Sequence, residues 1–576
     1  MSPRRRTLGL LAAFFLVAAG CGGDDGGGDD ATPGTDSAGG GTTQTTETAA
    51  PEPVRGGTLI YAVEADTSQP WLPDQMLCAA ACYSTVGRTV YEPLTIAGTD
   101  GEVYPYLLES FTPNEDFTVW TLVVRQGIKF HDGTDLNADA VAFNLERTRN
   151  SALVAKAVQP ISSIESDGAS TVTVTMSAPW RAFPVYLTSQ LGLMGSPTWI
   201  QAAVDAQAAG DSSLVTKPVG TGPFVFESYE SGENGRFTAT RFEDYWRGDG
   251  PSSLTGEGLP YLDRVEVRFM PDSSARTQAL LSGDINLVQT ANGVEIHDLR
   301  GNDSVRLTEL TTPYETETGY ILINNQAEVG GAPNPFADLR VRQALAYATN
   351  NQVLSDARTS GEYPIANGPF PPGRDGYLED SGQLQYDPDA ARALVDEVTG
   401  GAGPLQITLK TTTDPFNLTT AELLKEMWEE VGFQVNLDQI PQGEFIGQAL
   451  AGNFQAFTWR NHSGTDPDGQ WVWWSSETTT GLALNFGRII DPEVDRLLDE
   501  IRTETDEATR VSAAEDLNRY MNEQVFNVWN TWVHWAMATG TDVYNAGTLH
   551  IPDAPDGVTA LIGGVVTPIE IFVSDA

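Results

Sequence analysis

Side chains suited to holding a small molecule are concentrated between residues 459 and 474. Trp459, Trp471, Trp473 and Trp474 fall within sixteen residues, interleaved with Arg460, Asn461, His462, Ser463, Thr465 and Asp466. An indole supplies a large apolar area with one N–H donor, and a cation can rest on its face. Ligand pockets combine such walls with a few orienting polar groups. The stretch therefore predicts a binding surface drawn from Trp459, Arg460, Asn461, His462, Ser463, Asp466, Trp471 and Trp474. For any single Trp, a place in the core is an equal alternative. For residues 459–466 the crowding of polar groups favours a pocket.

Signatures of catalysis are scarce. There is no GxSxG elbow, no HExxH and no Gly-Lys pair of the kind a phosphate-binding loop needs. The five histidines (His131, His297, His462, His534 and His550) are scattered without metal-ligand spacing. Asp466-Pro467-Asp468-Gly469 lacks the remaining alternate ligands and the closing Glu of a calcium loop. Carboxylate pairs carry little information in so acidic a chain. The expectation is a binding protein and not an enzyme, with no catalytic residues, no metal and no cofactor. The rival readings are an exported glycoside hydrolase using the Trp cluster as a sugar platform, and a surface adhesin without a cleft.

The N-terminal residues point to export. Arg4, Arg5 and Arg6 precede an apolar run from Leu8 to Ala19. That run is too short to cross a ~30 Å hydrocarbon core and fits a signal peptide. Ala18, Ala19 and Gly20 lead to Cys21, a placement that resembles a bacterial lipobox, in which the thiol is acylated after cleavage. An ordinary secretory signal with an incidental Cys is the alternative. Arg5 and Arg6 followed by Leu8 also resemble a twin-arginine signal. Residues 22–50 contain no aromatic or branched aliphatic side chain, so they cannot offset the entropy of ordering and are expected to form a disordered tether. Its reach as a Gly-rich coil is roughly 30 Å.

The remaining five hundred or so residues are ample for a large core and for division into lobes. A formal net charge of −45 argues against nucleic acid and against anionic lipid as partners. Of the three cysteines, Cys78 and Cys82 remain once Cys21 is given to lipid. An exported compartment permits their pairing, and with no ligating neighbours a small-loop disulfide is favoured over a metal pair or free thiols.

Strands and helices alternate along the body. Val119–Arg125 and Ser170–Ser177 read as strands from their β-branched content, and Thr58–Val63 and Gly319–Asn324 as strands buried on both faces. Apolar stripes at helical spacing run through Val341, Ala344, Leu345 and Ala348; Ala391, Leu394, Val395 and Val398; Leu424, Met427, Trp428 and Val431; and Val494, Leu497, Leu498 and Ile501. Asp338, Asp387 and Asp491 stand where N-caps belong. With no short repeat, the pattern predicts α/β lobes.

Several stretches, taken in order, resemble the family 5 extracellular solute-binding proteins of bacterial ABC transporters, which include oligopeptide-, dipeptide- and nickel-binding receptors. Trp120-Thr-Leu-Val-Val-Arg125-Gln-Gly127-Ile-Lys129-Phe130-His131-Asp132-Gly133, running into Leu136-Asn137-Ala138-Asp139-Ala140-Val141, resembles the family signature. Val219-Gly220-Thr221-Gly222-Pro223-Phe224, Asp244-Tyr245-Trp246, Leu262-Asp263-Arg264-Val265, Ser282-Gly283-Asp284-Ile285, Pro335–Ala344, Tyr386-Asp387-Pro388 and Asp466-Pro467 follow in the family's order. The resemblance spans roughly residues 55–540.

It implies a two-lobed, periplasmic-binding-protein-like α/β fold with an enlarged first lobe and a hinge. The expected division is 1–20 signal peptide, 21–54 lipidated Cys and tether, and 55–322 first lobe with an inserted subdomain at about 94–217. The second lobe is expected at 323–540, with Asn324 at the crossing, and a return to the first lobe at 541–576. It further implies a monomeric, lipid-anchored receptor on the extracytoplasmic face of the cell membrane, with a solute and ABC permease subunits as partners. The most favoured cargo is an oligopeptide; oligosaccharide, opine or metal chelate is the alternative. In peptide-binding members an Asp receives the α-amino group where Ser463 stands here, so Arg460 is expected to favour a carboxylate or other acceptor-rich ligand and Asp466 is left as an alternative ammonium site. Arg125, Gly127, Phe130, Asp132 and Gly133 are expected to be scaffold.

Overall fold

A computed structural model of the chain describes residues 51–574 apart from 68, 77–81, 153, 233, 249–257, 442–443, 463 and 482. The signal peptide, Cys21, the tether to residue 50, Cys78 and Ser463 lie outside the described residues. Cys82 is disulfide-bonded.

The first lobe begins with β1 (Thr58–Val63), whose apolar run is buried between layers. An inserted antiparallel sheet follows, built from β2 (Leu108–Pro113), β3 (Val119–Val124), β4 (Ile161–Ser166) and β5 (Thr171–Met176), in the order β2-β3-β5-β4. Helix α1 (Ala138–Arg149) packs on it. Its N-cap is Asn137, whose side chain accepts from the backbone of Ala140, and Ala138, Val141 and Leu145 form the buried stripe. The lobe is completed by β6 (Phe224–Glu230), β7 (Arg236–Arg241), β8 (Arg264–Phe269), β9 (Leu287–Thr290) and β10 (Val305–Leu310), with α2 (Ser273–Leu281) and α3 (Gly293–Leu299) between them. In the register β1 runs parallel to β8, with Thr58 opposite Arg264 and Val63 opposite Phe269.

The second lobe holds β11 (Glu317–Ile323), β12 (Leu405–Thr412), β13 (Phe433–Ile440), β14 (Ala456–His462) and β15 (Asn527–Val533), ordered β13-β12-β14-β11-β15. Its helices α4 (Leu339–Ala348), α5 (Asn351–Thr359), α6 (Pro388–Thr399), α7 (Pro415–Glu430), α8 (Pro492–Thr503) and α9 (Glu507–Glu523) cover both faces. Asp338, Asp387 and Asp491 cap α4, α6 and α8 as the sequence predicts. Alternate residues of β11 enter opposite cores. Ile321 and Ile323 pack with α4 and α7, while Tyr320 and Leu322 pack with Trp474, Trp529 and α8.

The chain then returns: β16 (Trp535–Gly540) enters the first sheet between β9 and β10, giving the order β10-β16-β9-β1-β8-β7-β6. Two antiparallel strands therefore cross between the lobes. Leu310 pairs with Trp535 on one side of the crossing and Glu317 with Val533 on the other. The crossing lies at residues 311–316 and at His534, so the expected boundaries at 322/323 and 540/541 are each several residues late. Asn324 is not a crossing residue. It is fully buried in the second lobe, where its amide donates to the Gly452 carbonyl at 2.9 Å.

The conspicuous sequence blocks are scaffold. His131 donates from Nε2 to the Gly222 carbonyl at 2.8 Å, and its backbone N–H donates to Gly220 O, tying the first block to the Gly-rich turn. Gly220 and Gly222 approach the Val90 backbone so closely that a Cβ on either would collide with it. Tyr245 and Trp246 both donate to buried Glu92, at 2.5 and 3.0 Å. Burial pushes the Glu92 carboxyl up to about 7.

Candidate functional site

Where the lobes meet, the carboxyl end of β1 and the start of β16 face the ends of β11, β14, α5 and α7. Such strand ends are where α/β folds place their ligands, because the side chains of the flanking loops converge there. Arg460 stands near the end of β14, opposite Gly319 on β11, and Thr531 flanks Gly319 on the other side. With no side chain at Gly319, the guanidinium reaches over the strand. Its Nε lies 3.2 Å from Glu317 and its Nη2 lies 3.6 Å from Glu64 of the first lobe. Its Cζ is 4.6 Å from the ring centroid of Trp535. Gly564 lies against the same indole, where a Cβ would overlap the ring.

About a third of the Arg460 side chain (34%) is reachable by solvent. A charged group placed in this way between the lobes, part covered and part open, lines a cleft. Burial pulls its pKa down, and the carboxylates of Glu317 and Glu64 outweigh this, so the guanidinium is held above its ordinary range. Burial raises Glu317 against the pull of Arg460. The indole N–H of Trp535 faces Glu317 without closing a well-aligned hydrogen bond.

The cleft continues along α5 and α7. Arg358, in the last turn of α5, lies over the Phe416 ring at 4.5 Å. Asp414 caps α7, accepting from the backbone N–H groups of Phe416 and Asn417, and lies in the field of Arg276 of the first lobe. The single hydroxyl proton of Tyr363 is shared between His534 O at 2.8 Å and Ala291 O at 3.0 Å, fastening the second lobe to the first and to the crossing. Gly293 opens α3 directly against Thr359; a Cβ there would come within 2.7 Å of the Thr359 Cβ.

A second contact joins the inserted sheet to the second lobe. Asp468 is fully buried and accepts from Arg502 Nε at 2.7 Å and from Trp180 Nε1 at 3.0 Å. Lys156 donates to the carbonyls of Glu477 and Thr480, each at 2.6 Å.

Sequence reasoning placed some residues here and misplaced others. Arg460 lines the cleft. Trp459 points to the opposite face of β14, stacked on Phe445 at 4.5 Å. Asn461 shares that face, opposite Thr318, and His462 ends the strand opposite Glu317. Trp471 and Trp474 are corrections: they are 1% and 5% exposed in the core beneath α8, with Arg502 over Trp471 at 4.1 Å. They fill the lobe and do not line a pocket. Asp466 is also a correction. Its carboxylate accepts from the Asp468 N–H and pairs with Arg510 at 2.7 Å, so its charge is already engaged within the protein. Glu64, Glu317, Arg358, Tyr363, Asp414 and Trp535 were missed. They come from five separate segments, and no local pattern joins them. Among the described residues no three His, Cys, Asp or Glu side chains gather to hold a metal ion.

Known proteins show the same organisation. The family described as bacterial extracellular solute-binding proteins, family 5 Middle, matches residues 102–482. The dipeptide-binding protein of Escherichia coli (strain K12) is 25% identical over 499 residues, covering 82% of this chain and 88% of its own. Di/tripeptide-binding protein 1 of Pseudomonas aeruginosa (strain UCBPP-PA14) is 27% identical over 471 residues, covering 77% and 83%. Among solved structures, DppA from Helicobacter pylori in complex with the peptide STSA superposes with a TM-score of 0.77 at 21% identity, covering 90% of this chain and 99% of that one. AgaA from A. tumefaciens R10 in complex with agropinic acid gives 0.76 at 23% identity, with coverage of 90% and 99%. These two likenesses establish the two-lobed fold.

Proposed function

The chain belongs to the family 5 bacterial extracellular solute-binding proteins, and on that premise we propose that it captures a peptide-like solute between its lobes for an ABC importer. The observation that carries this reading is the cleft itself, where Glu64 and Trp535 of one lobe and Arg460 and Glu317 of the other close on one another. A solute contacting both sets favours the state in which they meet, and a permease can read that state. Relatives named for dipeptides and di/tripeptides support a short peptide as cargo. Acylation of Cys21 would hold the receptor at the extracytoplasmic face of the membrane.

A non-peptide cargo such as an opine or a metal chelate is the second reading. It is favoured by the occupation of Arg460 and Asp466 by internal partners, and by relatives named for nickel and a solved neighbour holding agropinic acid. Native against denaturing mass spectrometry on the full chain, purified gently, separates the two. A heterogeneous set of released peptide masses supports a peptide receptor. One discrete non-peptide mass rejects the peptide reading.

A further inference from the structure

We propose that Arg358, and not Arg460, anchors an oxyanion of the bound solute, most simply a carboxylate. The inference rests on the receptor reading above and assigns the chemistry of one corner of its cleft. Arg460 is satisfied: two carboxylates, Glu317 and Glu64, serve its single charge. Arg358 has no such partner. Among the described residues no carboxylate lies within 4 Å of its nitrogens, no hydrogen bond engages it, and its buried Nε lacks an acceptor.

The surrounding charges do not supply what is missing. Arg460 repels Arg358, and Tyr363 is a neutral phenol. Asp414 acts on Arg358 only from beyond ion-pair distance. Its carboxylate is already committed to the N–H groups of Phe416 and Asn417 and to the field of Arg276. Burial therefore depresses the guanidinium, to about 10. An unpaired cation partly buried in protein is costly, and a counter-charge arriving with a ligand removes that cost.

The geometry suits an oxyanion. One face of the guanidinium is covered by Phe416, which fixes its plane and leaves its edge free for a two-point contact with a carboxylate. Arg358 lies one residue from Thr359, which meets Gly293 of the first lobe. A carboxylate held there sits at the seam between the lobes, where it adds to the preference for the closed state.

Two measurements test the assignment. The first needs no ligand. The full chain is stripped of solute by unfolding and refolding, and Arg358→Met is compared with wild type. Removal of an uncompensated charge raises the Tm by about 2–4 °C; an unchanged or lower Tm means the guanidinium is already paired and overturns the proposal.

The second titrates trialanine and trialanine amide by calorimetry. Wild type is expected to prefer the acid by at least about tenfold, with the preference abolished in Arg358→Met and partly kept in Arg358→Lys. Equal binding of acid and amide by wild type overturns the role of Arg358 and leaves the peptide reading intact. If neither peptide binds, the peptide reading fails, and the Tm of the stripped variant alone decides for or against Arg358.

Discussion

Arg460 of the second lobe and Glu64 of the first lie 3.6 Å apart across the cleft, with Glu317 completing the group 3.2 Å from the guanidinium. Glu317 is on the same sheet as Arg460, so that contact persists whatever the lobes do. Only the contact with Glu64 depends on their approach.

Replacing Glu64 with Gln therefore weakens closure without disturbing either core. Both side chains keep about a third of their surface in contact with solvent, which limits the effect. The expected result is a loss of solute affinity of about twofold to fivefold, together with a weaker dependence on NaCl concentration. Unchanged affinity at both low and high salt would show that the pair contributes nothing to closure.

Gly293→Val places a side chain where the Thr359 Cβ stands. The lobes are then held apart, so affinity falls by at least about tenfold while the Tm of the stripped protein hardly moves. Pairing it with Thr359→Gly restores space and recovers part of the affinity. A double variant as weak as the single one would place the fault within α3 instead.

His131 makes stability depend on pH. Burial lowers its pKa from 6.5 to about 4, so below pH 6.5 the unfolded chain takes up a proton that the folded chain refuses. The stabilising contribution is complete above pH 6.5 and lost as pH falls to about 4, by up to about 3 kcal/mol. Urea unfolding of wild type between pH 7 and 4.5 should show this slope, and His131→Gln should flatten it. Parallel slopes in the two proteins would assign the loss to other groups.

Asp466→Asn leaves Arg510, only 2% exposed, with the looser contact to half-exposed Glu507 at 3.6 Å in place of its close ion pair. The expected cost is about 3 kcal/mol of stability, with solute selectivity unchanged. A shift in which solutes bind, with stability preserved, would return Asp466 to the ligand site.

The fold was largely legible because its signals are local. Caps at Asp338, Asp387 and Asp491 lie beside the stripes they begin, and β1, β3, β5 and β11 follow from β-branched or apolar runs. The ordered motifs were legible too, and they turn out to be joints of the scaffold, as His131 with Gly222 and Tyr245 with Glu92 show. Of the groups gathered at the cleft, the sequence singled out only Arg460. A Trp-rich stretch looks alike whether it fills a core or lines a cleft, and burial of Trp471 and Trp474 is decided by α8, some twenty residues onward. Glu64, Arg358 and Trp535 come together only through the crossing of strands far apart in sequence, which no spacing records.

The placement of β16 has a consequence for synthesis. The strand occupies an interior position of the first sheet, between β9 and β10, although it is encoded near the C-terminus. Until residues 535–540 leave the ribosome, β10 has no strand linking it to the rest of that sheet, whereas β11 to β15 already contain every strand of the second. The lobe whose residues are made first is therefore the one that finishes last, and a chain cut short at residue 533 retains one finished lobe and one that cannot close.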